Sequence, residues 1–104
     1  MSKGLPPYYA VIFTSTLSHE KEGYDEMAKK MEEIVQNQPG FLGMDSFRAQ
    51  QGITISYWES LEAIDLWRHN EAHKKAKSLG KDKWYRTFDI KICNFSACFF
   101  NVIC

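Results

Sequence analysis

Residues 53–67 read ITISYWESLEAIDLW, and inside this stretch the hydrophobic period changes from two to nearly four. In the first half, Ile53, Ile55 and Tyr57 alternate with Thr54, Ser56 and Trp58, as in a strand whose successive side chains point to opposite faces. The Ile53, Ile55 and Tyr57 set is the expected core face. The other set is polar, yet it carries a tryptophan, which is unusual for a face that meets only water. Ser60 then stands where a helix wants its N-cap, and Glu62 and Asp65 follow in the first turns, where negative charge suits the helix dipole. Leu61, Ile64 and Trp67 (or Leu66) supply the expected apolar stripe of that helix. A strand that runs directly into a capped helix points to an α+β domain.

Working outward, FLGMDSFR (residues 41–48) is a second strand-like run, joined to residues 53–59 by Ala49-Gln50-Gln51-Gly52, a connection of hairpin length. Upstream, Tyr24, Met27, Met31, Ile34 and Val35 recur at helical spacing between residues 19 and 38, with Ser18 as the expected N-cap and Pro39-Gly40 as the stop. Residues 8–17 (YYAVIFTSTL) follow Pro6-Pro7 and are apolar in both alternating sets, so both faces of this strand are expected to be covered. Downstream, residues 71–79 predict a third short helix with Gly80 as its C-cap, and residues 85–95 a last strand with Phe88, Ile90 and Ile92 on one face. The apolar tail 96–104 reads as a further short strand that completes a partner's sheet.

The order β-α-β-β-α-(α)-β is the ferredoxin-like split βαβ arrangement, an antiparallel sheet with helices on one face. Residues 1–104 make a single domain, with a core spanning about residues 8–95. Helices cover only one side of such a sheet. The apolar residues on the other side imply a symmetric homodimer packed sheet against sheet, with a small-molecule cavity nearby.

Thirteen basic and thirteen acidic residues cancel, so the chain lacks the cationic footprint that nucleic acid requires. Lys74, Lys75, Lys77, Lys81 and Lys83 read as a solvated helix face. No apolar run approaches the roughly 20 residues of a membrane span, and the first residues do not form a secretory signal, which together predict a cytoplasmic protein without membrane contact. Cys93, Cys98 and Cys104 are odd in number and lack C-x-x-C spacing, so neither a disulfide framework nor a zinc site is expected. His69 and His73 stand four apart, a spacing compatible with a metal, but Asn70 occupies the place of a catalytic Glu and no third ligand is evident. No nucleophile triad, phosphate loop or paired carboxylates are present, and flavin and nicotinamide have no fingerprint. The expectation is therefore no metal and no cofactor.

The run Pro39-Gly40-Phe41-Leu42-Gly43, then Ser46, Arg48, Gly52, and the long segment 55–85 with Tyr57-Trp58, Ser60, Trp67, His73, Ala76 and a Gly80…Trp84-Tyr85 ending, resembles the antibiotic biosynthesis monooxygenase (ABM) domain family. The resemblance covers roughly residues 8–95. It implies a dimeric α+β barrel, and in the characterised enzymes it implies oxidation of small aromatic or quinone-like molecules by dioxygen without metal or flavin. Other members cleave haem, and some have no known activity. Trp67 stands where quinone-forming and haem-degrading members carry a pocket tryptophan. The haem ligand of the degrading members would fall on Lys77, and their strand-one Asn is missing from residues 8–17, so the resemblance disfavours haem.

The substrate's own electrons must then reduce dioxygen, which requires one tuned base and a few donors in a dry pocket. His73 is the candidate base. Arg48 or Tyr57 is its candidate oxyanion partner, with Trp67 and Trp58 as pocket walls and Tyr24 and Tyr85 as further donors; the competing reading of Arg48 is an interface or hairpin salt bridge with Asp45 or Glu59, and that of Tyr57, Trp58, Tyr24 and Tyr85 is a place in the core. The rival readings are a non-catalytic ligand-binding or stress-associated dimer module, and a haem-binding or haem-degrading protein.

Overall fold

The structure, a computed structural model, describes residues 8–95. Its elements are β1 (Tyr8–Leu17), α1 (Tyr24–Val35), β2 (Phe41–Arg48), β3 (Gly52–Trp58), α2 (Leu61–Arg68), α3 (Glu71–Leu79), a π-helical turn (Gly80–Trp84) and β4 (Tyr85–Phe95). The strands form one antiparallel sheet in the order β2-β3-β1-β4. This is the ferredoxin-like α+β arrangement that residues 53–67 announced. The tail 96–104 lies outside the described residues.

The helices cover the face that carries Trp58. Val35 of α1 and Ala63 and Ile64 of α2 pack with Trp58, and Tyr9, Val11, Phe41, Met44 and Trp67 close around them. The register sets Tyr9, Val11, Phe13 and Ser15 opposite Trp58, Ser56, Thr54 and Gly52, so all of these share the helix-covered face. Ile53, Ile55 and Tyr57 therefore lie on the other side, and the expected core face of β3 is reversed. The reason is local. Trp58 is 1% exposed, and its indole N–H donates to Ser56 Oγ at 2.9 Å, so the neighbouring polar residue lets the ring be buried without an orphaned donor.

The second face is incompletely covered. Tyr8 and Ala10 are buried there, but Phe47 (69% exposed) and Ile53 (40% exposed) lie directly opposite one another on β2 and β3. On the helix side, the edge strand β4 presents Phe88, Ile90 and Ile92, each about half exposed, beyond the reach of the helical layer.

Three local expectations change. Ser18 does not cap α1; its hydroxyl donates to the Lys83 carbonyl at 2.6 Å and accepts from the Glu20 N–H, while its own N–H meets the Trp84 carbonyl. The cap position lies five residues later, at Gly23 with φ 85°, a left-handed conformation that glycine tolerates best. In α2 the buried stripe is Ala63 and Ile64, with Trp67 partly buried, whereas Leu61 is half exposed. Gly80 does not end α3 in a left-handed cap. It keeps helical angles and opens the π-helical turn, and its bare Cα is needed because an added methyl would stand 2.5 Å from the Tyr85 ring. Ser60 does cap α2, accepting from the Ala63 N–H at 3.1 Å.

Candidate functional site

The candidate residues fall into three groups. The first is a stack of rings at the C-terminal end of β3. Trp58 faces Trp67 at 6.5 Å with 28° between planes, and Trp67 lies on His73 at 4.3 Å and 11°. The break between α2 and α3 makes this possible. His69 closes α2, Asn70 starts α3 by accepting from the His73 N–H at 3.1 Å, and the reversal brings His73 back over Trp67. The same break separates the two histidines. His69 is exposed and bonds with Asp65 of its own helix, and among the described residues no group of His, Cys, Asp or Glu could hold a metal ion.

His73 is partly buried, and its Nδ1 sits 3.0 Å from the Trp67 carbonyl. Burial lowers its pKa below the ordinary 6.5; the Trp67 carbonyl acts the other way, and the charge of Lys77 adds to the lowering. The ring is thus neutral at physiological pH. A carbonyl cannot donate, so the neutral ring turns Nδ1–H toward it, which leaves Nε2 as a free lone pair. That is the arrangement of a base. Lys77, one turn along α3, donates to the Arg68 carbonyl at 2.8 Å, and partial burial followed by Arg68, Lys74 and Lys81 lowers its pKa. In the sequence Lys77 reads as part of a solvated helix face and as the residue at the haem-ligand position. Its i,i+4 spacing from His73 was the signal that it supplies positive charge beside the base.

Arg48 belongs to the second group, at the other end of the helix-covered face. Gly52, its partner in the register, is six residues from Trp58 along β3, about 20 Å at the strand rise. The guanidinium crosses Gly52, where a methyl would collide with it, and reaches the Ser15 hydroxyl and carbonyl. Tyr24 lies over it, with 5.3 Å from Arg48 Cζ to the ring centroid, and the Tyr24 and Tyr85 rings meet edge to face at 5.9 Å. Tyr57 is in the third group, on the opposite face. It donates to Asp45 at 3.0 Å, and its pKa is pushed up to about 12 by burial first and then by Asp45. The structure therefore joins Trp58, Trp67 and His73. Within the chain it does not place Arg48 or Tyr57 beside His73.

Among the described residues, two surface depressions lie away from the rings of Trp58, Trp67 and His73. One of about 340 Å³ lies between α1 and α3 over Met27, Leu79 and Trp84; the other, about 180 Å³, touches Ser15, Gln51 and Phe88. No helix among the described residues is long and apolar enough to cross a membrane.

The sheet order and the one-sided helical layer are those of a ferredoxin-like α+β domain, and the chain belongs to the antibiotic biosynthesis monooxygenase family, whose model matches residues 7–79. It is 46% identical over 89 residues to the uncharacterized protein YqjZ of Bacillus subtilis, a match covering 84% of this chain and 78% of that one. Among solved structures it is similar to PA3566 from Pseudomonas aeruginosa (TM-score 0.76, 15% identity, 90% of this chain and 99% of that one). It is also similar to the N63A mutant of SnoaB, a cofactor-independent oxygenase from Streptomyces nogalater (TM-score 0.75, 10% identity, 90% and 98%). At these identities the structural likenesses establish the fold. Membership of the family supports a monooxygenase-type function.

Proposed function

We propose that this protein is a cofactor-independent monooxygenase of the ABM type that acts on a small aromatic or quinone-forming molecule beside Trp67, with His73 as base. The observation that carries the reading is the His73 ring stacked on Trp67 at 4.3 Å, with Nδ1 3.0 Å from the Trp67 carbonyl and Trp58 behind it, and a pKa that burial lowers. A hydroquinone or anthrone bound along the Trp67 edge gives a proton to Nε2. Lys77 offsets the negative charge that remains on the substrate oxygen. The electron-rich anion then passes an electron to dioxygen. The two radicals combine as a peroxide, and loss of water leaves the new carbonyl, so one oxygen atom enters the product and the other departs as water. The protein contributes the base, the charge and a ring-lined wall.

Oxygen-electrode measurements with a panel of hydroquinones and anthrones test the reading. Uptake is expected for the wild type, with loss of most of it in Trp67→Phe and in His73→Ala. A wild type that consumes no oxygen above the buffer rate with any of them would point instead to a ligand-binding module, and a Soret band on haem addition to a haem protein.

We further propose that the working unit is a cytoplasmic homodimer whose bare sheet faces, with Phe47 and Ile53 exposed side by side, pack together into an α+β barrel. The 12.1 kDa chain should then elute at about twice its mass. Phe47→Asp should shift it to the monomer position; a wild type already eluting as a monomer removes this reading.

A further inference from the structure

Arg48 is a partly buried cation with no carboxylate within ion-pair distance among the described residues. A guanidinium has five N–H groups, and two are spent on the hydroxyl and carbonyl of Ser15, which leaves three without an acceptor among the described residues. Removing a charge from water without a counter-ion is costly, and such a group is normally paired. The cation is also firmly held. Ser15, only 2% exposed, grips one edge of the fork, Gly52 leaves the space it crosses, and Tyr24 covers it at 5.3 Å.

The surroundings are aromatic. Phe13 meets the Tyr85 ring edge-on at 5.2 Å and Phe88 at 6.2 Å, and Tyr85 and Phe88 are themselves 6.2 Å apart. Phe88 is 45% exposed, so this wall opens to solvent, beside the depression of about 180 Å³ that Ser15, Gln51 and Phe88 line. Asp89, also at that mouth, is paired with Lys91. Tyr85 meets the Tyr24 ring edge to face at 5.9 Å, and burial pushes its pKa well up, with Tyr24 adding and Arg48 opposing.

We propose that Arg48, flanked by Tyr24 and Tyr85 and walled by Phe13 and Phe88, is a binding site for the carboxylate of a small planar aromatic acid, separate from the rings around His73. The free edge of the fork takes the two carboxylate oxygens in parallel, the geometry in which arginine binds most selectively. The ring of the acid lies against Phe88 and Tyr85. This site does not rest on the oxidation proposed at His73. Either can stand without the other.

Salicylate is a suitable probe, titrated into the full chain by calorimetry and by amide chemical shifts, with its neutral methyl ester as control. Saturable binding is expected, with the largest shifts at Ser15, Gly52 and Tyr85 and none of comparable size for the ester. Arg48→Gln should weaken binding by about tenfold or more, as for loss of a charge-assisted pair. Arg48→Lys, which keeps the charge and loses the fork, and Tyr85→Phe should each weaken it several-fold while the far-ultraviolet spectrum is retained. These two keep the test decisive should Arg48→Gln fail to fold. His73→Ala should bind salicylate as the wild type does. Equal binding of acid and ester, unchanged affinity in Arg48→Lys and Tyr85→Phe, shifts confined to the groove between α1 and α3, or no binding at millimolar salicylate would each overturn the proposal.

Discussion

Replacing Trp58 with alanine should lower the unfolding free energy by roughly 3–5 kcal/mol, the cost of deleting a large buried ring. The residue is 1% exposed and sits where every layer meets: Val35 from α1, Ala63 and Ile64 from α2, the Phe41 ring at 5.3 Å and the Trp67 ring beyond it. Trp58→Phe should cost less. It keeps most of the apolar contact but loses the indole bond to Ser56, leaving a polar hydroxyl with less to bond. Urea unfolding at one fixed protein concentration measures both, the concentration being held because association adds to apparent stability. A loss below about 1 kcal/mol for the alanine variant would mean that this ring is not the centre of the core. Since a domain of this size is stable by only about 5–15 kcal/mol, the expected loss is a large share of the total.

Residue 58 also shows how far the sequence could be read. The alternation of residues 53–58 was sufficient to say strand, and Ser60 sufficient to say that a helix follows. From those two facts and the Pro39-Gly40 stop, the order of elements and the antiparallel sheet were legible. Which face the helices cover was not. Period-two alternation separates the faces without ranking them. Here the more uniformly apolar face, Ile53, Ile55 and Tyr57, is the one that the chain's own helices leave alone. A chain whose other sheet face carries Phe47 and Ile53 in the open has apolar residues to spend on both sides.

The start of α1 was missed for a different reason. Ser18 is a sound N-cap by type, but its hydroxyl and N–H are taken by Lys83 and Trp84, some 65 positions away in the chain. Local propensity contains no trace of such a pairing. The same holds for the site. Trp67 and His73 could be named individually, yet their stacking depends on a helix break at His69-Asn70 that turns the chain back, and spacing alone does not show where that turn leads. Arg48, Tyr24, Tyr85 and Ser15 come from four different elements, and nothing in their spacing announces that they meet.

His73→Ala should lower the rate of oxygen consumption by about 10²–10⁴-fold, the usual worth of a positioned general base. The pH profile separates this role from simple support of the Trp67 ring. With its pKa held below 6.5 by burial, His73 is already deprotonated at neutral pH, so the wild-type rate should be flat near pH 7 and fall on the acid side with a midpoint under 6.5. Any rise toward alkaline pH belongs to the substrate hydroxyl and should persist in the variants. In His73→Gln, which keeps a planar group against Trp67 but cannot titrate, the acid limb should vanish along with most of the rate. An acid limb that survives unchanged in His73→Gln would assign the titration to another group and remove His73 as the base. Stability carries the same signature with a definite sign. Because the folded chain holds His73 neutral, the unfolded chain takes up the proton first as pH drops through 6.5, and the native state loses stability until the folded pKa is passed. His73→Gln should lack that loss, so wild type and variant should converge in stability, or cross, on acidification from pH 7.5. A wild-type advantage that grows below pH 6.5 would mean that the fold stabilises the charged ring, and a charged ring cannot accept the substrate's proton.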